Sequence, residues 1–205
     1  MRPSLVRGVA LLALAAGVSC ASATGPMVIT GFYPLKVTTT ACTADTSAQV
    51  GEGLLDSSQG TGYMVGVELT NQLADNATAY QTTTDMAYVD SEVLQFHGNN
   101  GLPTPPAETV AVSGVIPPSS KLDMVVSLLT SANGTSLQES EGSLLVDVMF
   151  KGHYEDGSLW STASETFPVQ VCAGCLKLCA SPTATCGLDS LGQADGRTCP
   201  SSTGG

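Results

Sequence analysis

Residues 143–171 read SLLVDVMFKGHYEDGSLWSTASETFPVQV, and this stretch decides the fold class. Apolar and polar residues alternate at 146–151, which is the pattern of a β-strand with one buried and one exposed face. Asp156-Gly157 follows where the chain must reverse, because both central positions of a tight hairpin turn need positive φ angles. A second apolar run ends at Val171. The stretch therefore predicts two antiparallel strands that are joined by a hairpin and share one core.

The same alternation of short apolar runs and turn residues extends back to residue 26, and no segment keeps a helical period for three turns. We predict seven strands, at residues 27–37, 63–71, 85–96, 109–116, 121–130, 143–154 and 158–171. The pattern predicts an all-β domain over residues 26–171, an immunoglobulin/fibronectin-like antiparallel β-sandwich of about seven strands. A small barrel is the alternative architecture.

Cysteine, serine, glycine and proline dominate the chain after Val171, so residues 172–205 are predicted to form a C-terminal disulfide-rich cap with a disordered tail. We expect disulfides among an even set of six cysteines: Cys42, Cys172, Cys175, Cys179, Cys186 and Cys199. The pairing is left open. Cys42 is far from the others in sequence and is expected to join an early strand or loop to the tail.

The Cys172-Ala-Gly-Cys175 spacing also occurs in redox motifs and in zinc knuckles. A redox pair is typically found at the start of a helix, whereas Cys172 ends a strand-like run. A zinc ribbon needs two such knuckles, and the sequence has one. We therefore favour structural disulfides and predict no metal ligand and no cofactor.

The N-terminal residues MRPSLVRGVALLALAAGVS have the layout of a signal peptide over residues 1–19, with basic residues before an apolar stretch. This stretch is shorter than the roughly 20 residues that a membrane-spanning helix needs. Gly17-Val18-Ser19-Cys20 resembles the lipobox of bacterial lipoproteins, which implies a lipid on Cys20 and a short tether over residues 20–25. Ala21-Ser22-Ala23 is the competing cleavage site and would release a secreted protein.

Acidic residues outnumber basic ones in the chain, 18 against 7. Loss of Arg2 and Arg7 with the signal peptide would leave 5 basic residues and a net charge of about −13. Such a charge would repel a phosphate backbone, so we predict no nucleic-acid partner. Solubility explains the acidity, and a basic or cationic partner is the alternative.

Residues with catalytic chemistry are few, and we predict no catalytic residue. His97 and His153 are the two histidines, and neither belongs to a recognised motif. Acidic residues on expected loops, such as Glu155-Asp156 and Asp75-Asn76, lack the ligand spacing of a calcium-binding loop. A calcium site built across separate loops is left open.

The whole chain is similar to the uncharacterised cysteine-rich lipoproteins of myxobacteria and related Gram-negative bacteria. The similarity lies in the Cys20 lipobox, the run at 166–175, and the tail with Cys179, Cys186 and Asp195-Gly196 before Cys199. The resemblance implies the anchor and the fold, but it brings no activity and no functional residues. Ala21 and Ser22 stand where enteric lipoproteins of the inner membrane carry Asp, which implies the outer membrane.

We therefore expect a non-enzymatic envelope lipoprotein that acts as a structural or binding/adhesion module at the cell surface. Its partners would be the membrane, through the N-terminal lipid, and another envelope protein or a glycan. One alternative is a secreted or anchored hydrolase, for which His97 or His153 should lie within hydrogen-bond reach of a serine or aspartate. The other alternative is a calcium-dependent adhesion module.

Overall fold

The computed structural model describes residues 25–37, 42–58, 62–75 and 85–175, and these are mostly β-strand. The strands are β1 (Met27–Tyr33), β2 (Leu35–Val37), β3 (Cys42–Ala44), β4 (Gly53–Asp56), β5 (Tyr63–Asn71), β6 (Ala87–Asn99), β7 (Glu108–Ile116), β8 (Lys121–Leu129), β9 (Gly142–Tyr154), β10 (Leu159–Ser161) and β11 (Glu165–Cys172). A short helix α1 (Ser131–Gly134) and a 3-10 turn (Thr135–Leu137) separate β8 from β9. The all-β prediction is confirmed.

The strands form three sheets in the described part of the chain. The larger sheet has the order β4-β11-β9-β6-β7, with β10 also paired to β9, and the smaller sheet has the order β1-β5-β8. Strands β2 and β3 form a separate two-stranded pair. The pairing is antiparallel except between β4 and β11, which run parallel. This pair departs from a purely antiparallel sheet because its two strands are far apart in sequence and need no hairpin.

All seven predicted runs contain strands, but two of them are divided. Pro34 separates β1 from β2, because proline has no backbone N–H to donate to a ladder. The run at 158–171 is divided into β10 and β11 by residues 162–164. Strands β3 and β4 were not predicted, because three or four residues are too few to display an alternating pattern.

Inward side chains of the two main sheets form one hydrophobic core. Val65, Val67 and Leu69 alternate along β5 and are buried, as such a pattern predicts, whereas Glu68, which the same pattern places on the exposed face, is buried as well. Phe167 of the larger sheet lies with its ring centroid 4.8 Å from that of Phe32 in the smaller sheet. Burial of each such side chain contributes roughly 1.5–3 kcal/mol, so contact between the sheets stabilises both of them.

The predicted hairpin between β9 and β10 is confirmed, but the expected turn with two positive φ angles is wrong, because Gly157 has a positive φ and Asp156 does not. The backbone N–H of Tyr154 donates to Ser158 O at 2.8 Å, and Gly157 has a φ of 83°. Asp156 Oδ1 accepts hydrogen bonds from the backbone N–H and the hydroxyl of Ser158.

Among the residues that the structure describes, no helix has the length and hydropathy of a membrane span.

Candidate functional site

Two of the predicted disulfide cysteines are bonded to each other at the end of β11. Cys172 and Cys175 form a disulfide with a Cα–Cα distance of 5.9 Å. Cys42 of β3 is disulfide-bonded as well. The predicted lipid on Cys20 and the predicted disulfides of Cys179, Cys186 and Cys199 lie outside the described residues, so these assignments stay predictions.

Asp56 attaches the Cys172–Cys175 loop to the larger sheet. It ends β4, lies beside Cys172 in the parallel β4–β11 pair and is fully buried. Its Oδ1 atom accepts hydrogen bonds from Gly174 N at 2.8 Å, Ser58 N at 3.0 Å and Ser58 Oγ at 2.6 Å. Gly174 has a φ of 74°, a conformation that glycine adopts without strain. This arrangement stabilises the loop without requiring a ligand.

Asp56, Cys172 and Cys175 are close enough together to be compared with a metal site. One carboxylate oxygen of Asp56 and the sulfurs of Cys172 and Cys175 lie within 4.8 Å of one another. The sulfurs are bonded to each other, and a disulfide sulfur is not the thiolate that binds zinc. In the oxidised protein Cys172 and Cys175 therefore form a disulfide, as predicted for these two cysteines.

Each histidine contacts an aspartate on the outer face of the larger sheet. His97 Nε2 lies 3.0 Å from Asp147 Oδ2, and His153 Nδ1 lies 2.8 Å from Asp90 Oδ2. Strands β6 and β9 place these pairs, because each pair joins one residue from each strand. The contact with aspartate that the hydrolase alternative requires is therefore present.

A hydroxyl nucleophile bonded to either imidazole is absent from the part of the chain that the structure describes. Thr166 is the hydroxyl residue beside the first pair, but its Oγ1 donates to Asp147 and not to His97. The ring of His153 stacks on Tyr88, with centroids 5.1 Å apart. A nucleophile is activated by a base that it can reach by a hydrogen bond, and among the described residues neither imidazole has a hydroxyl group in that position.

A buried acidic residue, Glu92 of β6, was missed by the sequence analysis. Its exposed fraction is 0%, and neither carboxylate oxygen has a hydrogen-bond partner in the structure. Burial, together with the charge of Glu108, raises the pKa of Glu92 to about 8. Glu108 begins β7, and its Oε2 accepts hydrogen bonds of 2.8 Å from Thr130 Oγ1 and from Asn133 Nδ2.

A β-bulge explains why alternation did not predict the orientation of Glu92. The register of β6 shifts between Val89 and Ser91 relative to both neighbouring strands. Continued alternation from Val89 would place Ser91 and Val93 in the core, whereas the extra residue turns Glu92 inward with Leu94. The one signal in the sequence is that Glu92, Leu94 and Phe96 occupy every second position of the strand. Because Leu94 and Phe96 are apolar and buried, this spacing places Glu92 on the same face.

Strand β7 is an open edge of the larger sheet. Its nine residues pair with β6 on one side, and the described residues provide no strand for the other side. The outward side chains are exposed and uncharged: Thr109, Ala111, Ser113 and Val115. The outer edge of β1, by contrast, accepts a hydrogen bond of 2.9 Å from Val50 N at Phe32 O. Strand β8 also pairs on one side only, but it carries the charged residues Lys121 and Asp123. Strand β4 is only four residues long.

No family model matches this chain, and no curated protein matches it. Solved structures that match this chain include an X-ray structure of the Northeast Structural Genomics Consortium target SoR45, with a TM-score of 0.38 and 10% sequence identity. The similarity covers 77% of this chain and 95% of that chain. A likeness at this TM-score carries neither an architecture nor a function to this protein.

The open edge and the buried acidic residue are adjacent. Glu108 is the first residue of β7, and Glu92 lies opposite Val110 in the β6–β7 pair. Strand β7 therefore has an unpaired backbone edge on one side. On its other side it pairs with β6, the strand that carries the unpaired carboxyl group of Glu92.

Proposed function

We propose that this protein is a non-enzymatic, lipid-anchored module of the bacterial envelope that binds an extended segment of another envelope protein along β7. The observation that supports the proposal is the open edge of this strand, which pairs with β6 alone among the described residues. A free edge presents backbone N–H and C=O groups that a partner strand can pair with. The fold that we propose for the domain is an immunoglobulin/fibronectin-like sandwich with a C-terminal disulfide-rich cap.

The composition of β7 favours a strand as the partner. Natural edge strands are usually short or charged, which prevents pairing with other chains. After Glu108, residues 109–116 read TVAVSGVI and carry no charge, so no charged side chain opposes pairing along the rest of the strand. Glycan sites commonly use aromatic side chains as stacking surfaces, and the outward side chains of β7 include none. A protein segment therefore fits this surface better than a glycan.

The proposed location rests on the N-terminal sequence. A diacylglyceryl group on Cys20 would hold the protein at a membrane, because several buried acyl chains bind far more firmly than one. Ala21 and Ser22 favour the outer membrane by the resemblance described above. Residues 20–25 would span at most about 20 Å when extended, so β1 would lie close to the bilayer surface.

A photo-crosslinking amino acid in place of Ser113 tests the proposed interface in intact cells of the native host. We expect one discrete adduct that contains an envelope protein. Ala111→Lys should reduce this adduct about fivefold or more, because a lysine on an edge strand opposes pairing. Gln170→Lys is the matched control, since it adds the same charge to the same sheet face on β11, an interior strand. An adduct that survives Ala111→Lys, or that both variants abolish, would contradict the proposal.

Hydrolysis is a second candidate function, favoured by the contact of each histidine with an aspartate. Activated esters incubated with the purified protein test it directly. Turnover that is lost in His97→Gln or in His153→Gln would support a hydrolase, and it would exclude the non-enzymatic function proposed above. Absence of turnover, or turnover that both variants retain, would exclude the histidines as catalytic bases.

A further inference from the structure

We propose that the segment that pairs with β7 has apolar side chains at alternate positions, which fill a seam between the two main sheets, and carries a basic residue beside Glu108. The seam consists of four apolar residues on two edge strands: Val110 and Val112 of β7, and Leu122 and Met124 of β8. This inference rests on the function proposed above, because it specifies the chemistry of the partner that β7 would bind.

The open edges of the two main sheets lie on the same side of the domain. Strand β7 is the last strand of the larger sheet, β8 is the last strand of the smaller sheet, and residues 117–120 connect them. A Cβ atom on Gly114 of β7 would overlap Leu122 Cδ2 of β8. The two strands therefore face each other across the core, and among the described strands each pairs on one side only.

The side chains of the seam point towards the core but stay half-buried. All four pack against the hydrophobic core and keep part of their surface exposed. Leu122 pairs with Leu69, and Met124 pairs with Val67. Both partners on β5 are fully buried, so β8 directs its two seam residues towards the larger sheet. A strand added at this edge would remove the remaining apolar surface from water, which is favourable.

Strand geometry determines which side chains of the partner enter the seam. A strand paired with β7 continues the larger sheet, and every second side chain of it points to the face of Val110 and Val112. These side chains must be apolar, because a polar group buried there without a partner is costly. The side chains between them lie beside Thr109, Ala111 and Ser113, which are exposed, so polar residues fit there. Backbone pairing thus gives affinity, and the seam gives specificity.

Glu108 gives one end of the seam a negative charge that lacks a counter-charge. It begins β7 and is half-buried, and its Oε2 accepts hydrogen bonds from Thr130 Oγ1 and Asn133 Nδ2, which are neutral donors. Within the ranges that the structure describes, no basic side chain forms an ion pair with Glu108. A lysine or arginine of the partner would complement this carboxylate. The excess of 18 acidic over 7 basic residues favours a partner of the same sign.

A second copy of this chain fits the edge less well than another protein does. Residues 108–116 contain no lysine, arginine or histidine, so pairing of β7 with β7 would bring no cation to Glu108. Lys121 of β8 is already paired with Glu68, at 2.7 Å. The basic residue must therefore come from a different chain.

Photo-crosslinking at the seam, in the full-length protein in intact cells of the native host, tests the proposal. A photo-crosslinking amino acid in place of Met124 should capture the same envelope protein as one in place of Ser113. Val125 is the matched control, because it pairs with Gly66, whose added Cβ would meet Ala44 on the outer face of the smaller sheet. The yield of this adduct from position 125 should be at least about tenfold lower.

Mass spectrometry of the Met124 adduct identifies the captured segment. We expect apolar residues at alternate positions and at least one lysine or arginine within it. If the variant at Met124 does not accumulate, a photo-crosslinking amino acid in place of Val110 gives the same comparison from the β7 side of the seam.

Glu108→Gln tests the charge separately, because glutamine still offers an oxygen to Thr130 and Asn133. The yield of the Ser113 adduct should fall about threefold, as expected for the loss of one ion pair. Glu165→Gln is the matched control, since it removes the same charge from β11, an interior strand, and should leave the yield unchanged.

The two proposals fail in different ways. An adduct at Ser113 with none at Met124 or Val110 would overturn the seam and leave strand docking at β7 intact, whereas no adduct at any of these positions would refute both. A crosslink from Met124 to the same chain or to a second copy would also overturn the seam as a partner site. A captured segment without alternating apolar residues, or a Ser113 yield unchanged by Glu108→Gln, would contradict the proposed chemistry of the partner.

Discussion

Gly152 of β9 lies directly opposite Trp160 of β10, and the indole ring occupies the space that a side chain on Gly152 would take. A Cβ atom at this position would also overlap the backbone oxygen of Tyr88 on β6. The glycine therefore lets three strands approach while the ring of Trp160 stays buried. This contact fixes the position of β10 on the sheet.

We expect Gly152→Ala to destabilise the protein by about 3 kcal/mol, because a backbone oxygen cannot move aside as a flexible side chain can. The free energy of unfolding in urea measures the effect. Gly51→Ala is the control, since its Cβ would meet nothing within 4 Å and its stability should change by less than about 0.5 kcal/mol. Equal urea midpoints for the two variants would show that the β9–β10 register is wrong.

Asp56 gives a second test, because removal of its buried carboxylate leaves three hydrogen-bond donors without their acceptor. Asp56→Ala should cost about 1–3 kcal/mol, since the part-buried hydrogen bonds from Ser58 N and Gly174 N lose their acceptor. Thermal unfolding and the reactivity of the Cys172–Cys175 disulfide towards a reductant measure the change. The disulfide should be reduced faster in the variant, because its loop is no longer attached to β4.

Asp156 provides a matched control for Asp56. Its Oδ1 accepts the same two hydrogen bonds, from the N–H and the hydroxyl of the residue two positions later, but it lies on an exposed turn. Asp156→Ala should therefore change stability little, because water replaces the lost acceptor. If Asp56→Ala and Asp156→Ala lower the free energy of unfolding equally, the burial of Asp56 does not strengthen the contribution of its hydrogen bonds to stability.

Much of the fold could be predicted because alternation and turn chemistry act locally. The buried faces of β5 and β9 follow directly from residues of alternating polarity, and the turn at Gly157 follows from its need for positive φ. The parallel pairing of β4 with β11 could not be predicted, because it joins residues more than a hundred positions apart. Nothing in four residues of β4 specifies such a partner.

The candidate sites were less predictable, because they depend on register. His97 and Asp147 are separated by 50 positions, and only the pairing of β6 with β9 brings them into contact. Glu92 was missed for a related reason, since one extra residue in β6 reverses which side chains face the core. Single-sequence alternation contains no information about such a bulge.

The proposed anchor can be tested by growing the native host with a labelled fatty acid. Wild-type protein should carry the label and sediment with membranes, and Cys20→Ala should lose both properties because no thiol accepts the lipid. Ala23→Phe separates this outcome from ordinary secretion. It should leave labelling intact if Cys20 is the first residue, whereas it should block processing if cleavage follows Ala23. An unlabelled wild-type protein would refute the anchor.

The pH dependence of stability tests the buried state of Glu92. Its pKa is raised to about 8 in the folded protein from an ordinary value of 4.5. The folded state therefore binds one more proton than the unfolded state between these values, and stability falls as pH rises through this window. The loss should be on the order of 4 kcal/mol by about pH 8. Glu92→Gln should remove this slope, so its urea midpoint should match the wild type near pH 4.5 and exceed it near pH 8. A wild-type midpoint as insensitive to pH as that of Glu92→Gln would show that Glu92 is solvated in the folded protein.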